Sequence, residues 1–578
     1  MTEFAPDKAA RSAARQTWIR ALEAIAVLDG EDRPTLAAML DDLAAQHGER
    51  SALVGEGEAF SYAQLASRVN QIARWAQAEK LTAVALFMPN CTEYLAIWLG
   101  LTRAGCVVAL INTNLVGATL SHCIQAANAT HIIVAASLRP TLDAISTNAA
   151  IIETLMLDGL SGERIAAAEM ALPAQNARAL LVYTSGTTGM PKAGIITHAR
   201  ILEWGLWFAA MMNVTPDDRM YDCLPLYHST GGIVAVAAML VSGGSVLIRP
   251  RFSASGFWDD VADGECTIFQ YIGELCRYLA GSPIHPRERA HRLRLACGNG
   301  MQGDVWRIVQ ERFALPQVLE FYAATEGVVS LYNVEGKPGA IGRIPPFMAN
   351  RFPVALVRCD PETGEIARDA NGLCIPCGPD ETGEALGAIP GAAQLQARPF
   401  DGYTDTAASA KKLISDVLTP SDRWFRTGDL MRRDAEGYFT FVDRIGDTFR
   451  WKGENVATTE VALVLSGCPG VHDAVVYGVS VPGHEGRAGM AALTTGLEFS
   501  LDALRATLKA GLPAYAQPMF VRLCKELDVT GTFKLSKARL AAEGYANTSD
   551  PVWFNARTGL EPCDAALIAA IGDGTRRV

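Results

Sequence analysis

Between residues 61 and 135 the hydrophobic pattern alternates between two periods. Ser61 followed by Gln64 reads as a capping box, in which a hydroxyl and an amide satisfy the free N–H groups that open a helix. Leu65, Val69, Ile72 and Ala76 continue one apolar stripe at helical spacing. Residues 83–88 are then a short apolar run that predicts a strand, 94–102 predict a helix, 107–111 a strand, 120–127 a helix and 132–135 a strand. Such alternation implies β-α-β units, with largely parallel sheets covered by helices. The expected class is α/β. There is no repeat of 20–50 residues and no low-complexity tract.

Further along, 179–182 read as a buried strand, and Trp204, Trp207, Phe208, Met211 and Met212 recur at helical spacing. Residues 229–248 form the longest uncharged run, long enough to raise a membrane span. Gly231-Gly232 and Gly243-Gly244 divide it into a buried helix of moderate length and a strand at 245–248, so a core element is expected. A boundary falls at Asp443-Arg444-Ile445-Gly446-Asp447, between a strand at 438–442 and a basic-aromatic segment. Beyond it come a helix at 458–466, a strand at 474–479, and a helix with Leu501, Leu504 and Leu508 on one face. The chain is thus expected to divide into a large N-terminal part, 1–442, and a small α+β domain, 443–578.

The 578 residues exceed what one core organises, and 49% hydrophobic with 20% charged residues is ordinary globular composition. A formal net charge of -11 argues against nucleic acid, which rewards clustered Lys and Arg, and against strong adhesion to anionic lipid. Thirteen cysteines without a repeated spacing point to reduced thiols and a cytoplasmic setting. Cys374-Ile375-Pro376-Cys377 is the one C-x-x-C; it lacks the second pair of a zinc site and reads as loop. The first fifteen residues carry no apolar core of a signal peptide.

The chemistry is densest in Tyr183-Thr184-Ser185-Gly186-Thr187-Thr188-Gly189-Met190-Pro191-Lys192-Ala193-Gly194, directly after the apolar run. Glycine lets consecutive backbone N–H groups turn toward an anion, and hydroxyls and an ammonium add donors. The segment therefore reads as a phosphate-gripping loop, with a solvated Gly/Thr loop as the alternative if it stood alone. It departs from the Walker pattern, because Pro191 separates the last glycine from the lysine.

Leu224-Pro225-Leu226-Tyr227-His228-Ser229, Tyr322-Ala323-Ala324-Thr325-Glu326-Gly327, Phe425-Arg426-Thr427-Gly428-Asp429-Leu430, Asp443-Arg444 and Lys534 follow in that order. Together with the glycine-rich loop they resemble the motifs of the adenylate-forming superfamily: acyl-CoA synthetases, luciferases and peptide-synthetase adenylation domains. The resemblance spans roughly residues 35–545, and residues 1–30 and 548–578 match nothing in it. It implies a large N-terminal part of β-α-β sheets covered by helices, with a small mobile C-terminal α+β lid. It also implies a two-step reaction: a carboxylate attacks the α-phosphate of ATP to give acyl-AMP and pyrophosphate, and a thiol then displaces AMP. ATP, Mg²⁺ and CoA would be the cofactors.

By the same resemblance, Thr184, Ser185, Gly186, Thr187, Thr188 and Gly189 wrap the β- and γ-phosphates, with Lys192 nearby. Thr325 touches the α-phosphate and Glu326 holds Mg²⁺; Tyr322 stacks on adenine above a backbone ledge of Gly298-Asn299-Gly300. Asp429 accepts hydrogen bonds from the ribose hydroxyls, and Arg444 contacts ribose or phosphate. Lys534 bridges the carboxylate and the α-phosphate, although Phe533 stands where the family usually has glycine, and Lys537 is a second candidate. His228 matches an aromatic or histidine wall near the acyl carboxylate, with a structural core histidine as the alternative. The stripe from Trp204 to Met212 would line an acyl tunnel, yet an apolar helical stripe is more often plain core. Two half-reactions in one site require the lid to rotate. Gly453-Glu454-Asn455 would supply the second face, and Gly446, beside Asp447, stands at the family's pivot.

The stretch from Asp443 to Val461, with Gly298-Asn299-Gly300-Met301 and the segment ending at Lys534, is similar to the fatty acid transport protein/very-long-chain acyl-CoA synthetase branch. Membrane-bound members of that branch carry an N-terminal hydrophobic anchor that this chain lacks, so a soluble or peripherally attached ligase is expected. The expected activity is ATP-dependent ligation of long- or very-long-chain fatty acids to CoA. Its rivals are a fatty acyl-AMP ligase, a bile-acid or aryl-CoA ligase, and a non-enzymatic fatty-acid carrier or transport protein. The expected partners are a fatty acid, ATP and CoA and no nucleic acid; a peripheral membrane contact and a homodimer stay open.

Overall fold

The structure, a computed structural model, describes residues 8–29, 34–153, 155–184, 190–324, 327–361, 363–389, 401–452, 454–482, 484, 486–528, 535, 537–576 and 578. By contact the chain separates into two compact units, Met1–Arg343 with Arg398–Lys412, and Ile344–Ala397 with Leu413–Val578. The segment from Asp443 to Asp447 falls inside the second unit.

The alternation around residues 61–135 builds the first sheet of the first unit. Its strands run in the order Ala150–Ile152, His131–Val134, Ala83–Phe87, Val107–Leu110, Arg178–Thr184 and Lys192–Thr197. All neighbours are parallel except the last pair. Val84, Ala85, Leu86 and Phe87 are wholly buried, as a parallel strand covered on both faces must be. The helices lie where the stripes placed them. Tyr62–Ala78 opens on the expected capping box, with Gln64 N donating to Ser61 Oγ at 3.3 Å and Ser61 N to Gln64 Oε1 at 2.8 Å. The other two are Thr92–Arg103 and Gly117–Ala126.

A second sheet runs Ser330–Asn333, Val318–Ala323, Leu295–Asn299, Ile268–Ile272, Arg219–Asp222, Ser245–Ile248, Ser51–Val54 and Ala59–Ser61. Its interior pairs are parallel and its two edges antiparallel. The uncharged run at 229–248 belongs to this core. It forms a π-helical turn at Thr230–Ala235, a short helix at Val236–Leu240 and the strand Ser245–Ile248. No described helix is long and apolar enough to cross a membrane.

Residues 1–30 match nothing in the family resemblance. The helix Lys8–Ala26 packs on His198–Met212, with Trp18 edge-on to Trp207 at 5.9 Å and to Tyr332 at 5.6 Å. Arg20 Nε donates to Ala210 O at 2.7 Å across the same contact.

In the second unit, Val354–Val357, Gly383–Ala388, Arg423–Arg433 and Tyr438–Arg444 form antiparallel neighbours. A five-stranded sheet follows: Val471–Ser480, Arg487–Thr495, Phe520–Leu523, Val552–Asn555 and Leu560–Pro562. Helices Thr458–Ser466 and Leu501–Gly511 cover it, with Val461, Leu465, Leu504 and Leu508 buried. Residues 548–578, also outside that resemblance, supply two of those strands and the helix Ala565–Gly572. Cys374 and Cys377 are buried and free, and among the described residues no three His, Cys, Asp or Glu gather around a metal position.

Candidate active site

The glycine-rich loop is held at both feet. Thr184 ends one strand and Lys192 opens the antiparallel return, and the two are register partners. Tyr183, buried, donates its hydroxyl to Cys123 O at 2.5 Å, which anchors the outgoing strand to the helix Gly117–Ala126. Ser185, Gly186, Thr187, Thr188 and Gly189 lie outside the described residues.

The return strand carries a contact that the sequence did not signal. Ile195 N donates to Gly402 O at 3.1 Å and Thr404 N to Ala193 O at 3.0 Å, so the segment 401–404 lies along it as an added lane. Tyr403 is thereby buried, with the Lys192 ammonium 5.7 Å above its ring centroid. Two residues earlier in that lane, Asp401 pairs with the buried Arg200 at 2.8 Å. Arg200 in turn lies against Gly327, whose φ is +75° and where a Cβ would come within 2.2 Å of the guanidinium. Only glycine fits there. Thr325 and Glu326 lie outside the described residues.

At the other end of the unit's second sheet, Gly298 and Glu320 are register partners, and Tyr322 follows Glu320 on the same face. A Cβ on Gly298 would lie 2.1 Å from Tyr271 O, so the ledge that it forms with Asn299 is bare by necessity. Tyr322 is half-buried rather than core. Beneath them the Glu320 carboxylate accepts from Tyr271 Oη, Gly300 N and, at 3.3 Å, Met301 N. Burial pushes this acid up to about 8, against the pull of those donors. The sequence reading passed over Glu320, although an acid two positions before Tyr322 in an otherwise apolar strand was a visible signal.

His228 is half-buried, its N–H donating to Pro225 O at 3.1 Å and its ring tilted against Tyr227 at 4.6 Å. Trp204, Trp207, Phe208, Met211 and Met212 are all buried. Trp207 and Phe208 belong to an aromatic cluster with Trp18, Phe321 and Tyr332.

The second unit brings Asp429 and Arg444 together as cross-strand partners, with Arg444 Nε 3.2 Å from Asp429 Oδ1. The turn into Asp429 is locked. Thr427 Oγ1 donates to Ala385 O at 2.7 Å and accepts from Asp429 N at 3.0 Å, and Gly428 N donates to the buried Glu384 at 3.1 Å. Next door Asp443, also buried, accepts from Thr458 N at 2.6 Å and Thr458 Oγ1 at 2.9 Å. Burial raises its pKa. Lys537 donates to Asp447 Oδ2 at 3.0 Å and to Thr458 Oγ1 at 2.7 Å. Gly453 and Lys534 lie outside the described residues.

Comparison with known proteins identifies the family and the fold. Residues 40–376 match the family model of AMP-binding enzymes, and residues 460–534 that of the AMP-binding enzyme C-terminal domain. The chain is 39% identical to human long-chain fatty acid transport protein 1 over 548 residues, covering 90% of this chain and 84% of that protein. Among solved structures, ATP-bound MatB from Rhodopseudomonas palustris superposes with a TM-score of 0.71 at 23% identity, over 88% of this chain and 98% of that one. A Mycobacterium tuberculosis fatty acyl CoA synthetase gives 0.61 at 22% identity, over 88% and 98%.

Proposed function

The chain belongs to the AMP-binding enzyme family, within its long-chain fatty acid transport protein branch, and on that premise we propose that it ligates long- or very-long-chain fatty acids to CoA through an acyl-AMP intermediate. The observation that carries the reading is the pairing of Thr184 with Lys192 at the feet of the glycine-rich loop. It makes a threonine and a lysine cross-strand neighbours at the end of a parallel strand, where α/β sheets gather their ligands.

In this reading the loop from Thr184 to Gly189, with Lys192, holds the β- and γ-phosphates. Tyr322 and the ledge of Gly298 and Asn299 receive the adenine. Asp429 takes the ribose hydroxyls and Arg444, paired with it across the strands, orients that carboxylate. Thr325 donates to the α-phosphate. Glu326, a hard oxygen donor, would hold Mg²⁺, which would supply positive charge against that of the ATP phosphates. His228 stands on the acid side. Lys534 stabilises the charge that develops as the carboxylate oxygen attacks, an interaction made for one step only.

For the second half-reaction the segment from 443 onward turns about Gly446, whose φ of +87° and open surroundings suit a pivot. That motion withdraws Lys534 and presents Gly453 with Glu454 and Asn455 to the thiol of CoA.

Pyrophosphate release scanned over acids of increasing length, with CoA or an acyl carrier protein as acceptor, tests the proposal. Release that peaks with long acids, together with acyl-CoA formation, supports it. Transfer to the carrier protein alone would make the chain a fatty acyl-AMP ligase, a peak with bile or aryl acids would move the substrate class, and no release with any acid would leave a carrier.

A further inference from the structure

We propose that Asn90 is a positioning residue of the acid-binding side of the site, acting through His228; this rests on the reading of His228 given above. Asn90 lies in the turn between the strand Ala83–Phe87 and the helix Thr92–Arg103, and it is buried. Its amide reaches from the first sheet of its unit to the second. Nδ2 donates to Leu224 O at 2.8 Å and to Arg249 O at 3.2 Å, while Oδ1 accepts from Leu226 N at 2.9 Å. Leu224 and Arg249 each follow the end of a neighbouring parallel strand, Arg219–Asp222 and Ser245–Ile248. One side chain therefore pins two strand ends of one sheet to the turn after a strand of the other, and both amide protons are used.

The pinned segment is 224–228, which ends on His228. Its opposite side is closed by the π-helical turn at Thr230–Ala235. A Cβ on Gly232 would lie 1.8 Å from Leu226 O, and one on Gly231 2.9 Å from Leu224 Cβ. Gly232 N also donates to His228 O at 2.8 Å. The segment is thus held between Asn90 and two glycines, with the His228 carbonyl itself bonded to Gly232 N. π-Helical turns recur at functional sites, and here the wider turn lets the backbone press this closely.

An asparagine that merely satisfied buried carbonyls would, when replaced, weaken the whole unit and every substrate alike. A positioning asparagine changes the acid side selectively, and its effect depends on His228. The variants Asn90→Ala and Asn90→Asp are made in the full chain, each with and without His228→Ala. Three quantities are read: amide exchange of residues 224–228, KM for a long-chain acid in pyrophosphate release, and ATP affinity by titration. The expected result is faster exchange confined to 224–228, an acid KM raised about tenfold, ATP affinity changed less than about twofold, and no further rise in KM when His228→Ala is already present. Unchanged exchange overturns the proposal. So do parallel losses for acid and ATP, or a rise in KM that adds in full to that of His228→Ala. Should the Asp variant fail to fold, the Ala variant gives the same readings. Pyrophosphate release by the unsubstituted chain reports separately on the activity itself, and the exchange measurement needs no activity.

Discussion

Lys537 and Asp447 form an ion pair, Nζ to Oδ2 at 3.0 Å, whose ammonium also donates to Thr458 at 2.7 Å. The pair joins the start of the helix Ala538–Glu543 to the segment that follows Arg444. Of the two lysines that the sequence offered for the adenylation step, it favours Lys534 in the proposed role. An ammonium committed to a carboxylate and a hydroxyl is a structural tie, whereas a transition-state cation must be released between half-reactions.

Lys534→Ala is therefore expected to slow adenylation by orders of magnitude while sparing thioester formation from supplied acyl-AMP. Lys537→Ala is expected to cost about tenfold or less in either half-reaction, together with some loss of stability. Rapid-quench assay of each half-reaction separates the two. A dead Lys537 variant beside an active Lys534 variant would move the catalytic role by three positions.

The Asp429–Arg444 pair gives a second expectation. Asp429→Asn keeps the shape of the side chain but loses a charged acceptor for the ribose hydroxyls, and hydrogen bonds to charged groups are worth about 1.5–3 kcal/mol. KM for ATP should rise about tenfold or more, with KM for the fatty acid little changed. Competition between ATP and 2′-deoxy-ATP adds a specific check: the preference for the ribonucleotide should shrink in the variant.

Much of the fold was legible because its strands are covered on both faces. A short apolar run such as 83–88, between two amphipathic stripes, has few alternatives to a parallel strand, and the 61–64 capping box marked where the helix before it begins. The candidate site motifs stand out for a different reason: glycine, hydroxyl and charged residues stand where an apolar run ends. What escaped was long-range. Nothing local to Trp18 announces a partner near residue 207, and nothing in 401–404 announces that it pairs with the strand after the glycine-rich loop. Asn90 was silent as well, since an isolated Asn after Pro89 reads as an ordinary turn. Its role appears only when Leu224, Leu226 and Arg249 converge on it.

The helix Lys8–Ala26 supplies a stability test. Trp18 is fully buried against Trp207 and Tyr332, and truncating such a side chain costs about 3–5 kcal/mol. Trp18→Ala should lower the apparent Tm by several degrees, in the transition that unfolds the first unit. An unchanged Tm would mean that this helix is not docked in solution.

A pH test follows from Asp222. The side chain is fully buried, Oδ1 accepts from Leu224 N at 3.0 Å, and burial pushes the acid up to about 8 from its ordinary 3.8. Across the window between those values the folded chain holds a proton that the unfolded chain has released. Stability from this group is therefore complete below about pH 4 and is lost as pH rises toward 8. Asp222→Asn carries no such proton. The Tm difference between variant and unsubstituted chain should shift in the variant's favour from pH 5 to pH 8, and parallel curves would contradict the assignment.

The measurement that bears most directly on the account is exchange of labelled pyrophosphate into ATP, in the absence of CoA, with fatty acids of increasing length. Exchange that requires a long-chain acid, and is abolished by Lys534→Ala, is the predicted result, because reversible acyl-AMP formation is the only step that connects the two. Exchange that proceeds without any acid, or fails with every acid offered, would contradict it.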